Sequence, residues 1–100
     1  MNVKMHAVHF SADKKLVDFI EKKLSKLDTF FDKIIGADVF LKLDSHGAVK
    51  DKVAEIKLVV PGGTLVVKEM SQSFEAAVDE AIDSLKRMLI RYKEKDRDLK

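Results

Sequence analysis

Residues 54–69, AEIKLVVPGGTLVVKE, decide the fold. Ala54, Ile56, Leu58 and Val60 alternate with Glu55, Lys57 and Val59, the two-residue period of a strand with one face toward a core. Pro61-Gly62-Gly63 then forms a tight turn, because proline presets one dihedral and glycine permits a positive φ. Residues 64–69 return as a second strand, antiparallel to the first. A hairpin with one apolar face needs another layer to cover that face.

Two further strands are legible upstream. Val39, Leu41 and Leu43 alternate with Phe40, Lys42 and Asp44, and residues 44–51, containing Ser45-His46-Gly47, form a polar turn or loop. Val3, Met5 and Ala7 alternate with Lys4 and His6, so a first strand covers residues 2–9. The covering layer comes from two helices. From Leu16 the apolar positions 16, 19, 20, 24, 27, 30, 31 and 34 have helical spacing, with Ser11 or Asp13 as N-cap and Gly36 as a C-cap. Ser71 or Ser73 caps a long second helix, whose apolar stripe includes Phe74, Ala77, Val78, Ala81, Ile82, Leu85, Met88, Leu89 and Tyr92. The predicted class is α+β, a single β-α-β-β-β-α domain over residues 1–100. Its two helices cover one face of a four-stranded, mostly antiparallel sheet.

Composition narrows the function classes. The chain has 100 residues, enough for one core, with 46% apolar and 36% charged residues, as in a folded body with a densely charged surface. Without cysteine there is no disulfide framework and no thiolate metal site. Residues 1–6 lead into no apolar signal segment, and 18 apolar residues never run together, so a cytoplasmic protein with no membrane partner is expected. His6 and His9 fall on opposite faces of a strand, which is poor metal geometry, and His46 is remote in sequence. Pro61-Gly62-Gly63 lacks the Lys-Ser/Thr of a phosphate loop, and no Ser/His/Asp set has supporting spacing. The expectation is therefore no enzyme, no metal, no cofactor and no small-molecule substrate.

What remains is the placement of charge. The net charge is only +2, so distribution has to decide whether a polyanion is bound. Around the first helix, Leu16, Ile20, Leu24, Leu27, Phe31 and Ile34 fall on a buried arc, flanked by Phe19 and Phe30. Lys15, Lys22, Lys26 and Lys33 make a basic edge, if the helix runs that far, and Asp18, Glu21, Asp28 and Asp32 make an acidic one. On the second helix Glu75, Asp79, Glu80 and Asp83 precede the cations, the order that suits the helix dipole. Arg87, Arg91 and Lys95 step along one flank of its apolar stripe; Lys86, Lys93 and Arg97 step along the other. Residues 86–100 hold seven basic and three acidic side chains, a local net of +4. Rows of this kind suit RNA phosphates, with arginine able to bind bidentately. The plain alternative is a solvated face with surface pairs such as Asp18–Lys22. Phe40, Val53 and Val59 run out of phase with the core positions on the sheet's open face, and Ile90 projects opposite its helix's stripe. Ordinary exposed apolar residues, or a self-association surface, account for them.

Residues 16–34, LVDFIEKKLSKLDTFFDKI, closely resemble the first helix of bacterial hibernation-promoting factors and ribosome-associated inhibitors, the sigma-54 modulation protein family. GGTLVV at residues 62–67 and FEAAVDEAIDSLKRMLIRYKEK at residues 74–95 resemble that family's turn, fourth strand and final helix. The resemblance covers nearly the whole chain, in a short form of the family. It implies the same β-α-β-β-β-α fold and no enzymatic activity. It also implies binding to the small ribosomal subunit in the channel of mRNA and tRNA, silencing translation and stabilising idle ribosomes under stress. Carried over by position, the cations are Lys23, Lys26 and Lys33, then Arg87, Arg91, Lys93 and Lys95; Lys22 and Lys86 join them from the helical rows. The chain departs from the family where Ser73-Phe74-Glu75 replaces an Asp-Met-Tyr run and where Ser84 replaces a frequent lysine. Two other functions stay open: a general structured-RNA binder, and a protein–protein regulatory module of the sigma-factor modulator type using the open sheet face.

Overall fold

The computed structural model describes residues 1–8, 10–44 and 51–98, with side chains as far as Lys95. The elements are β1 (Asn2–Ala7), α1 (Lys14–Phe30), β2 (Gly36–Leu43), β3 (Lys52–Val60), β4 (Gly63–Ser71) and α2 (Phe74–Asp98). They form one sheet of order β1-β2-β3-β4, and the β-α-β-β-β-α class read from the sequence holds. α1 carries the chain back between β1 and β2, so that pair is parallel; the two later connections make antiparallel pairs. Met5, Val39, Ile56 and Val67 stand opposite one another as a row on the face that the helices cover.

Alternation in the strands and helical spacing in α1 and α2 aim the same residue types into one core. Ile20, Leu24 and Leu27 of α1 meet Val39 and Leu41 of β2, Ile56 and Leu58 of β3, and Val78, Leu85 and Leu89 of α2, all fully buried. Each such side chain contributes about 1.5–3 kcal/mol by leaving water. Among the alternative caps, Asp13 and Ser73 act. The Leu16 N–H donates to Asp13 Oδ1 at 2.8 Å and the Ala76 N–H to Ser73 Oγ at 3.1 Å. Ser71 instead ends β4, buried. In the hairpin turn Gly62 has φ 85°, the left-handed value that follows proline in a type II turn.

Three boundaries differ from the sequence reading. β1 ends at Ala7, with one more pairing bond from the Val8 N–H to Leu41 O at 2.9 Å. α1 stops at Phe30, and the C-cap is Phe31 in extended geometry, its N–H donating to Leu27 O at 2.7 Å. Phe31 and Ile34 are buried as expected, but from irregular chain rather than from the helix. Lys33 therefore leaves the α1 row and stands in the turn that follows. Gly36 opens β2 rather than capping α1. A Cβ there would lie 2.9 Å from the Asn2 carbonyl oxygen, so close approach of β1 demands the glycine. The interior of the expected polar loop, residues 45–50, lies outside the described residues, as do His9 and His46.

Candidate nucleic-acid interface

Strand directions set where the cations meet. β1 and β2 are parallel and two reversals follow, so β4 runs in the same direction as β1. Each of β1 and β4 is followed by a helix, and both helices therefore start at the same end of the sheet. Contacts between them agree. Phe10 and Phe74 stack at the amino-terminal end with centroids 5.0 Å apart, and Lys23 Nζ lies 3.2 Å from Asp79 Oδ1 further along. At the carboxyl-terminal end Phe31 and Tyr92 meet edge-on at 5.5 Å, and Lys93 Nζ donates to Phe30 O at 3.4 Å. α1 and α2 lie side by side and parallel, which sets their negative dipole ends together at the end where the basic residues gather.

The α1 cations divide by role. Lys22 and Lys26 are exposed. Lys23 is half-buried against α2, with its ammonium 5.4 Å from the Phe19 centroid as well as paired to Asp79. The acidic edge of α1 turns the other way, toward β1, where Asp28 meets the Met1 ammonium at 3.4 Å. The basic edge of α1 consequently faces α2 and solvent.

α2 presents its two rows differently. Lys93 reaches across to α1, 5.0 Å from the Phe30 centroid and 6.0 Å from that of Phe31. Lys86 lies two turns earlier on the same flank and is likewise half-buried. Arg87, Arg91 and Lys95 are exposed on the flank away from α1. Arg87 Nη2 donates to Ser84 Oγ at 3.1 Å, and that hydroxyl donates to Glu69 Oε1 at 3.4 Å, so the arginine is tethered toward β4. The predicted cations thus run from the middle of the helix layer to its carboxyl-terminal end in two lines, one along the seam between the helices and one along the far side of α2. Ile90, 46% exposed, stands between them. Lys26, Arg91 and Lys95 make no ion pair among the described residues.

Two contacts at this end escape sequence reading. Phe30 and Phe31 hold Lys93, and Tyr92 donates its hydroxyl to the Pro61 carbonyl oxygen in the hairpin turn. The partners are 63 and 31 residues apart, and no local pattern links them. Among the described residues there is no cluster of three or more histidine or acidic side chains that could hold a metal, and no helix long and apolar enough to cross a membrane.

Comparison with known proteins gives a consistent answer. The family model described as sigma 54 modulation protein / S30EA ribosomal protein matches residues 3–97. A relative named ribosome hibernation promoting factor, from Pseudomonas putida, is 32% identical over 99 residues, which cover 99% of this chain and 93% of that protein. The crystal structure of the Thermus thermophilus Protein Y N-terminal domain superposes with a TM-score of 0.79 at 34% identity, covering 92% of this chain and 99% of that one. A ribosomal subunit interface protein from Coxiella burnetii shares the fold, with a TM-score of 0.84 at 22% identity over 94% of this chain and 99% of that one. With the family model matched over residues 3–97, a relative 32% identical over 99 residues and a solved structure 34% identical at a TM-score of 0.79, the chain belongs to the sigma 54 modulation protein / S30EA ribosomal protein family.

Proposed function

We propose that this protein is a ribosome hibernation factor that docks on small-subunit rRNA and holds the mRNA and tRNA channel closed by filling it. The observation that carries the reading is the parallel pairing of α1 and α2, which brings Lys22, Lys26, Lys86, Arg87, Arg91, Lys93 and Lys95 together from the middle to the carboxyl-terminal end of one layer, with Lys33 in the adjoining turn. The name of the Pseudomonas relative, ribosome hibernation promoting factor, supports the same role. Mechanism here needs no chemistry. Cationic side chains displace counterions from phosphates, and the folded domain excludes other ligands by its volume. Folded RNA is recognised through shape and backbone, which suits two lines of cations at fixed separation. Lys23 contributes less than its neighbours, because Asp79 already faces it.

Co-sedimentation with purified small subunits tests this. The wild-type chain should pellet stoichiometrically at low salt and be released as salt rises, by about one log unit of affinity per log unit of salt for each phosphate contact. Pelleting indifferent to salt and to Arg87→Glu/Arg91→Glu would count against the proposal. Equal affinity for an unrelated RNA duplex would reduce it to general structured-RNA binding.

A further inference from the structure

The face of the sheet turned away from the helices carries a second set of cations that the function above does not use. Register aligns Lys4 with Asp38 and Lys57 in one row, and His6 with Phe40, Glu55 and Lys68 in the next. Lys42 stands in a third row, beside Val53 and Met70. The face therefore holds four lysines against two carboxylates. Its centre is aromatic: the His6 and Phe40 rings stack with centroids 4.6 Å apart and planes 13° from parallel. Lys57 Nζ lies 5.2 Å from the Phe40 centroid, on the side away from His6. Both faces of Phe40 are thus occupied. His6 differs: it lies on the edge strand β1, with no further described strand beyond it, and its Nε2 stands 3.8 Å from Asp38 Oδ1. Its side chain is 46% exposed.

We propose that this open face binds a short single-stranded RNA segment, with one base stacked on the outer face of His6 and the backbone crossing the sheet over Lys57 and Lys68. Charge selects a polyanion. The exposed ring on the edge strand selects an unpaired base, since a duplex hides the faces of its bases within its own stack. Dimensions agree: four strands span about 14 Å, and four-stranded sheets elsewhere take two or three stacked bases. The choice of RNA over DNA rests on the function proposed above; the site itself does not. The binding surface is distinct from the helix layer, so a single chain would hold structured RNA on one side and a loose strand on the other.

Fluorescence anisotropy of a labelled single-stranded RNA octamer, titrated with the full chain at several salt concentrations, tests the inference. His6→Ala should weaken octamer binding by about tenfold, the usual loss for one base–ring stack, while His6→Phe retains it. Lys57→Glu/Lys68→Glu should lower the salt slope by about 1.4, two contacts at about 0.7 each for a single strand. Arg87→Glu/Arg91→Glu should bind the octamer as wild type while losing the small subunit, so the two readings fail separately. Octamer binding that is absent, that prefers an RNA hairpin stem, or that is lost with the arginines instead of with His6 overturns the proposal. A dimer in sedimentation velocity that Val66→Glu dissociates, without octamer binding, assigns the face to a protein contact and overturns it equally.

Discussion

The two ends of the helix layer use the same residue types to different ends. At the amino-terminal end groups are matched within the fold: Asp13 and Ser73 accept helix N–H groups and Phe10 stacks on Phe74, and midway along the layer Lys23 faces Asp79. At the carboxyl-terminal end Tyr92 and Lys93 fasten α2 to the hairpin turn and to α1, but Lys26, Arg91 and Lys95 point into solvent. A lysine's place around the helix, rather than its presence, decides whether it supports the fold or stays available to a partner: Lys23 and Lys93 face the neighbouring helix, whereas Lys22 and Lys95 do not.

Leu85→Ala should damage both ends at once. Leu85 is fully buried between the sheet and the helix layer, and its truncation should cost about 2–5 kcal/mol in denaturant unfolding. Arg87→Glu/Arg91→Glu should separate the ends. The small-subunit salt slope should fall by about two, at about 0.9 per phosphate contact, while loss of the exposed Arg87–Ser84 bond should lower stability by about 1 kcal/mol or less. Ser73→Ala acts in the opposite sense, removing an N-cap at the matched end. It should cost about 1 kcal/mol of stability and leave subunit affinity per folded molecule as it was. The smallest change is expected from Asp79→Asn. The Lys23–Asp79 pair is partly exposed, so stability should drop by less than about 1 kcal/mol, while the released Lys23 should make subunit binding slightly tighter and steeper in salt. A large stability loss in this last variant would show that the pair holds the helices together and that matched and free cations are not divided as described.

Much of the architecture was legible because it rests on local patterns. The alternation in residues 54–69 and the Pro61-Gly62 turn yield β3 and β4 directly. Ser73 was one of two caps consistent with its local sequence, and the backbone chose it by ending β4 at Ser71. Gly36 misled because a glycine after an apolar run resembles a C-cap, whereas its cause is the Asn2 carbonyl oxygen of a strand more than thirty residues away. Lys33 left the α1 row because the helix ends at Phe30, earlier than its apolar spacing implied. Val53 was read as an ordinary exposed residue of the open face. Register does place it there, yet it is only 1% exposed, so facing away from the main core did not leave it in water. The basic rows and their two flanks on α2 were legible, because helical period orders them; which flank lies against α1 was not.

By itself the sequence determined the element order, the core positions and the rows along each helix, because all of these follow from periods of two and 3.6 residues within one segment. Only the tertiary structure decided that both helices run the same way, that Lys93 and Lys23 are drawn into the seam, and that His6 stacks on Phe40 across two strands. Those facts depend on the sense and register of strands far apart in the chain, and contacts at such separations leave no periodic trace in the segments that make them.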